Sequence, residues 1–261
     1  MARKIAGKGY KTALMRREKM LRQHIPPTYR VTKQRLYRML SQYGMVYVKP
    51  DSGSQGRGVM RMEKHATGKH RYWYQLGERK WSFATYEQAY ASISKQMGGE
   101  RHVVQKGIRL LRYNSRPFDI RLMVQRTPQG GLETTGTFTR VAHPRKVVTN
   151  GSQGGSIYAT DRVLRRHAGP GQRRRLYRLM DQLGKRAVKA LHAKAHPIHE
   201  LGMDFAVDRK LKPWILEANT IPDAAPFTLL EDQSMIRRIV RYGRAYGKKY
   251  KLVCKKAKRG R

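Results

Sequence analysis

The sequence predicts an α+β or mixed α/β protein built as two lobes. Three observations predict it. Short apolar segments recur with the two-residue alternation of strands, as in Met45-Val46-Tyr47-Val48. Between them lie stretches whose apolar residues repeat every three or four positions, the period of a helix packed on one side. Glycine-rich hairpin turns join several of the strands, which argues against a purely parallel sheet. With 261 residues, 39% of them hydrophobic, the chain can bury one substantial core or two lobes sharing a cleft.

In chain order, residues 10–24 read as a basic helix ended by Pro26-Pro27. Thr32 is placed to cap a second helix carrying Leu36, Met39, Leu40 and Tyr43 on one stripe. Residues 45–48 read as a strand, the loop Asp-Ser-Gly-Ser-Gln-Gly-Arg-Gly follows, and further strands are expected at 59–62 and within 71–76. Tyr86, Tyr90, Ile93 and Met97 mark a helix, and 103–105, 120–124 and 135–141 are strands, the last two joined through Pro-Gln-Gly-Gly. Residues 172–195 form the strongest helix, with Leu176, Met180, Leu183, Ala187 and Leu191 along one side. Strands at 205–207 and 214–216 flank the turn Asp-Arg-Lys-Leu-Lys, and 235–240 begins a final basic helix.

Lys and Arg number 57 against 17 Asp and Glu, a formal net charge of +40. Residues 1–38 contribute +11 and residues 237–261 contribute +12, which leaves +17 on the middle of the chain. A polyanion contact through the basic ends follows from this balance, because each neutralised phosphate or carboxylate releases counterions. Solvated, disordered tails are the plainer reading of the same ends. Charge alone does not choose between nucleic acid, nucleotide and acidic protein. Cys254 is the only cysteine, which excludes an intrachain disulfide framework and a Cys-rich zinc site. The first residues lack the apolar stretch of a secretory signal and no apolar run approaches membrane-spanning length, so a soluble, intracellular protein with no membrane partner is expected.

Three constellations carry chemistry. In Lys49-Pro50-Asp51-Ser52-Gly53-Ser54-Gln55-Gly56-Arg57-Gly58, a strand ends in lysine and a glycine-rich loop follows. Missing Cβ atoms let phosphate oxygens approach backbone N–H groups, so the loop suits an anion, although it matches neither a Walker A loop nor G-x-G-x-x-G. An ordinary glycine-rich hairpin turn is the plain alternative. Asp204 faces Glu217 if the hairpin turns at Lys210-Leu211, and Asn219 shares that face by the two-residue period. Such an all-oxygen cluster suits Mg²⁺, or else it is an exposed sheet end neutralised by arginines. Asp119 and Arg121 share a strand face, where a fixed guanidinium clamps phosphate or simply forms a salt bridge. His192, His196 and His199 lie at i, i+4, i+7, but Pro197 interrupts them and no cysteine supports a zinc site.

Taken in order, IPPTYR, YGMVYVKPDSGSQGRGV, VVQKGIRLL, RPFDIRLMVQR, VTNGSQGGSIY and ELGMDFAVDRKLKPWILEANTIPD resemble an ATP-grasp enzyme, in particular the YheC/YheD group of endospore coat-associated proteins. The resemblance covers about residues 25–232. It implies an ATP-grasp fold in which ATP lies between two antiparallel sheets, with a basic segment at 1–28, a first lobe with its lid loop at 29–104, a second lobe with a metal site at 105–235, and a basic helix and tail at 236–261. By resemblance, Lys49 contacts the nucleotide phosphates under a lid formed by Ser52, Gly53, Ser54, Gly56 and Gly58. Gln105, Lys106 and Ile108 belong to the hinge that meets adenine, and Asp119 lines the cleft. Arg121, Lys49 and Asn150 serve the transferred phosphoryl group, and Glu217, Asn219 and Asp204 hold Mg²⁺, or Mn²⁺ in its place. An upstream nucleotide lysine is usual in many ATP-grasp families, and Lys11 and Lys19 are the candidates here. The implied activity is carboxylate–amine (or thiol) ligation through an acyl phosphate, on an acidic small molecule or peptide, in the cytoplasm or at a spore coat. A polyanion-binding or structural coat protein that keeps the scaffold without ligation is the alternative.

Overall fold

The computed structural model describes residues 7–53, 56–144, 154–192, 197–254 and 257–260. The chain enters through α1 (Lys8–Met15) and α2 (Lys19–His24), two helices where one is expected. Glu18 makes the break: its carboxylate accepts from the Leu21 amide at 2.6 Å and starts the second helix as an N-cap.

The first lobe contains β1 (Thr28–Arg30), α3 (Lys33–Tyr43), β2 (Met45–Pro50), β3 (Met60–Lys64), β4 (Tyr72–Leu76), β5 (Arg79–Phe83), α4 (Tyr86–Met97) and β6 (His102–Lys106). Its six strands form an antiparallel sheet in the order β1-β6-β2-β3-β4-β5. Thr32 caps α3 as expected, accepting from the Arg35 amide at 3.1 Å. Val46, Val48, Met60, Met62 and Tyr74 turn toward α3 and α4, which leaves the alternate positions Tyr47, Lys49, Arg61 and Gln105 on the opposite face. Sequence reading missed β5, which returns along β4 through the two-residue turn Gly77-Glu78, with Gly77 at φ 61°.

The second lobe follows with β7 (Arg112–Tyr113), β8 (Arg116–Arg126), β9 (Leu132–Val141), β10 (Ser156–Tyr158), α5 (Thr160–Leu164), α6 (Pro170–His192), β11 (Glu200–Val207), β12 (Pro213–Asn219), a 3₁₀ turn (Ala225–Leu229), α7 (Ser234–Ala245) and β13 (Lys258–Arg259). Its sheet runs β12-β11-β8-β9-β10-β13 with β7 beside β8, and it is antiparallel except where β13 joins β10. Phe118, Ile120, Leu122 and Val124 pack on α6, while Met123 and Phe138, on the other face, pack on α7. A Cβ on Gly184 would meet Val124 at 2.7 Å, so only glycine lets α6 lie this close to β8.

Within the basic ends, α1, α2 and α7 are packed into this lobe. Leu14, Met15, Leu21 and Ile25 are buried in the same cluster as α6 and β11, and α7 covers the other face of the sheet. The segment expected as 1–28 therefore divides by packing: α1 and α2 belong to the second lobe's core and β1 to the first lobe's sheet. The chain thus passes between the lobes twice, at 25–27 and at 107–111, and the Lys106 amide donates to the Pro27 carbonyl at 2.9 Å where the passages run side by side. Among the described residues no helix is long and apolar enough to cross a membrane.

Candidate active site

One wall of the cleft is cationic. Lys49 points from β2 toward the second lobe and donates to Gln105 Oε1 at 2.6 Å, and Gln105 Nε2 donates to Thr28 Oγ1 at 3.0 Å. Burial pulls the Lys49 ammonium down to about 8, with Glu217 across the cleft restoring part of the loss. Lys8 and Lys11 of α1 join it. Lys11 Nζ donates to the Ala218 carbonyl at 2.6 Å, and burial also lowers its pKa. Lys19, the other candidate for the upstream lysine, is exposed on α2. The loop after Lys49 is tied to α1: the Lys8 and Gly9 amides donate to the Asp51 carbonyl and carboxylate at 2.9 and 2.7 Å, and Lys8 Nζ donates to the Gly53 carbonyl at 2.9 Å. Gly58, at φ 71°, returns so close to Pro50 that a Cβ would meet its ring at 2.8 Å. Ser52, Gly53, Gly56 and Gly58 lie in this loop, and Ser54 falls outside the described residues.

The facing wall is a network of four buried charges set by strand register. Asp204 on β11 sits opposite Arg121 on β8, and Asp119 on β8 sits opposite Arg140 on β9. Arg121 grips Asp204 through Nε at 2.5 Å and Nη2 at 3.1 Å, and Arg140 grips Asp119 at 2.8 and 2.7 Å. Arg140 also reaches Asp204 at 2.9 Å, closing the chain. Burial alone would raise the Asp204 carboxyl, but Arg121 and Arg140 outweigh it and hold the group at about 2. For Arg140 the carboxylates likewise outweigh desolvation and raise its pKa. Arg140 was not singled out from the sequence. Counting β8 against β9 across their turn pairs Asp119 with Thr139, and the bulge between Met123 and Val124 shifts the register by one and brings Arg140 there instead.

Glu217 and Asn219 reach this wall because β12 is bulged. A turn at Lys210-Leu211 predicts Phe205 opposite residue 216, yet Phe205 pairs with Ile215 and Asp204 with Glu217. Leu216 is the extra residue, and the shift turns Ile215 and Ala218 into the core while Glu217 and Asn219 face the cleft. Asn219 Nδ2 approaches Asp204 at 3.5 Å and Lys8 Nζ stands 3.9 Å from Glu217. The three predicted metal residues are thus brought together, but they are not equivalent. Asp204 already accepts from two arginines and Asn219, which leaves it about one free lone pair, whereas Glu217 has only the distant lysine among the described residues. Carboxylate and amide oxygens in partly buried positions fit a hard cation such as Mg²⁺.

A cavity of about 910 Å³ lies beside the hinge, lined by Tyr47, Arg61, Gln75, Ile108, Leu110 and Arg112 among others; Lys49, Arg121, Asp204, Glu217 and Asn219 are not part of its lining. The Lys106 and Gly107 amides are used by Pro27 and Met45, so Ile108 carries the next N–H along the hinge, with no partner among the described residues. Lys106 points away along the rings of Tyr43 and Trp214, at 4.8 and 5.8 Å. Asn150 lies outside the described residues, as does His196, and no cluster of three or more His, Cys, Asp or Glu side chains appears among those described.

A family profile described as YheC/D like ATP-grasp matches residues 3–249. The endospore coat-associated protein YheD of Bacillus subtilis (strain 168) is 24% identical over 193 residues, covering 71% of this chain and 41% of YheD. The chain spans about half the length of the curated relatives it matches. Among solved structures, the C-terminal domain of K. lactis Pby1, an ATP-grasp enzyme interacting with the mRNA decapping enzyme Dcp2, superposes with a TM-score of 0.55 at 16% identity over 93% of this chain and 72% of that one. The D-cycloserine synthetase DcsG superposes with a TM-score of 0.53 at 14% identity over 90% of this chain and 71% of its own. These two share the fold.

Proposed function

We propose, for a chain that belongs to the YheC/D-like ATP-grasp family, an ATP- and Mg²⁺-dependent ligase that joins an acidic carboxylate substrate to an amine or thiol. The single observation that carries this reading is a desolvated Lys49, bonded to Gln105 in the first lobe, that feels the carboxylates of Glu217, Asp204 and Asp119 in the second. A carboxylate oxygen attacks the γ-phosphorus of ATP, the bond to ADP breaks, and the acyl phosphate is then attacked at carbon by the nucleophile. Inorganic phosphate leaves and the nucleophile gives up its proton. Lys49, Lys8 and Lys11 bind and orient the phosphates, and Arg121 offsets charge spreading over the transferred group. Asp119 and Arg140 keep Arg121 and Asp204 in register. Glu217 and Asn219, with Asp204 beside them, hold Mg²⁺, which when bound neutralises phosphate charge. The basic cleft draws in an anionic substrate. Asn150 closes the phosphate end, the hinge from Gln105 to Ile108 meets adenine, and association with a spore coat follows the curated relatives.

The test is Mg²⁺-dependent ADP release over a matrix of carboxylates and amines, with nucleotide affinity measured separately. A productive pair is expected to lose turnover by about 10²–10³ in Glu217→Gln, with ATP affinity changed far less. Turnover indifferent to Glu217→Gln, or ADP release that needs no carboxylate, sinks the proposal.

A further inference from the structure

The cleft accounts for little of the positive charge, and the rest is not evenly spread. On α6 the buried stripe faces β8, while Arg175, Arg178, Arg186 and Lys189 point outward along one side. From 175 to 189 this side runs about 21 Å at 1.5 Å per residue. The neighbouring α1 and α2 extend it: Arg17, Lys19 and Arg22 are exposed, and Arg186 meets Glu18 at 3.0 Å where the helices touch. Glu18 is the only acid in residues 1–38, and it is already occupied by the α2 cap and by Arg186. Asp181 on α6 is tied to Lys185 and Thr134 at 2.9 and 2.8 Å. The belt thus has almost no free negative charge.

At its end, on the edge strand β1, stands an exposed aromatic ring. Tyr29 is 44% exposed, and the guanidinium carbons of Arg16 and Arg35 lie 5.7 and 5.8 Å from its centroid. An exposed aromatic ring with two planar cations close to it, continuous with a long cationic track, is what an unpaired base and its backbone use together. A protein partner would need apolar anchors, and the large exposed apolar side chains here are tyrosines, Tyr29 and Tyr10. We infer that α1, α2, α6 and β1 form a binding surface for single-stranded nucleic acid, with Tyr29 stacking a base and the α6 arginines following the phosphates. None of these side chains belongs to the cleft.

Because any chain of charge +40 attracts polyanions, the experiment must separate this surface from net charge. A fluorescein-labelled 15-nucleotide oligothymidylate is titrated with full-length protein by anisotropy between 50 and 300 mM salt. The triple variant Arg175→Gln/Arg178→Gln/Lys189→Gln is compared with Arg237→Gln/Arg241→Gln/Arg244→Gln, which removes equal charge from the exposed side of α7 on the opposite face of the sheet. The α6 variant is expected to lose at least tenfold in affinity and about 2 units of log–log salt slope, and the α7 variant less than threefold. Tyr29→Ala is expected to lose about tenfold with the slope unchanged. Equal losses in the two triple variants would show that only net charge acts and would overturn the inference. Displacement of the oligonucleotide by poly-L-glutamate at equal charge, with Tyr29→Ala without effect, would overturn it in favour of an acidic polypeptide.

Discussion

The two walls of the cleft solve opposite electrostatic problems. The first lobe presents Lys49, an ammonium that gave up hydration for one amide oxygen and a distant carboxylate. The second lobe presents Asp204, a carboxylate that gave up as much hydration but gained two guanidiniums. Lys49 is left short of negative charge, and its lowered pKa records the shortage. Asp204 is satisfied within its own sheet. On the proposed function, an anionic ligand completes the first wall, whereas the second keeps its shape without one.

The largest expected effect separates them by stability. Arg140→Met leaves Asp119 and Asp204 buried with one arginine between them, and thermal or urea unfolding should show a loss of about 3–5 kcal/mol. Lys49→Met removes an uncompensated cation, so the ligand-free protein should unfold no earlier than wild type. An equal loss in both variants would erase the distinction between the walls.

A subtler break uses pH. Lys49 titrates near 8 when folded and near 10.5 when unfolded, so between those values the unfolded chain binds more protons and folding stability rises with pH. Below pH 8 the penalty, roughly 3 kcal/mol for a shift of this size, is fully present. Wild type should gain stability relative to Lys49→Met from pH 8 to 10, while its affinity for ATP falls over the same interval as the ammonium is lost. Asp204 behaves oppositely: its contribution is complete above the ordinary carboxylate range and fades as pH falls toward 2. A flat difference between wild type and Lys49→Met across pH 8–10 would mean that the lysine is not desolvated.

The smallest effect marks where the comparison ends. Thr85 and Gln88 form a capping box at the start of α4, on the far side of the first sheet from the cleft. Thr85→Ala should cost about 1 kcal/mol in denaturant unfolding and leave nucleotide affinity untouched.

Much of this was legible in the sequence, for identifiable reasons. The mixture of strands and helices was legible in the periods and turn residues of each segment, and the particular fold through the family resemblance carried by the order of the lysine–glycine loop, the D-x-R strand and the D…E-x-N hairpin. Counting about a turn at Lys210-Leu211 places Asp204 opposite Glu217, and the structure pairs the two. The path to that agreement differs, since the bulge at Leu216 sets which side chains share the cleft face and no local signal announces it. Arg140 was hidden by composition: one arginine among 57 basic residues is conspicuous only once its strand partner is known. The helices α1 and α2 were obscured by their charge, although Leu14, Met15, Leu21 and Ile25 supply the apolar residues that bury them.

The double passage of the chain between the lobes has a mechanical consequence. Residues 25–27 and 107–111 act as two pins mounted side by side and joined by the bond from the Lys106 amide to Pro27. A door hung on two adjacent pins swings about one axis and resists twisting. Its hasp is the set of bonds from Lys8 and Gly9 to Asp51 and Gly53, which ride on opposite leaves and must part whenever the door stands open.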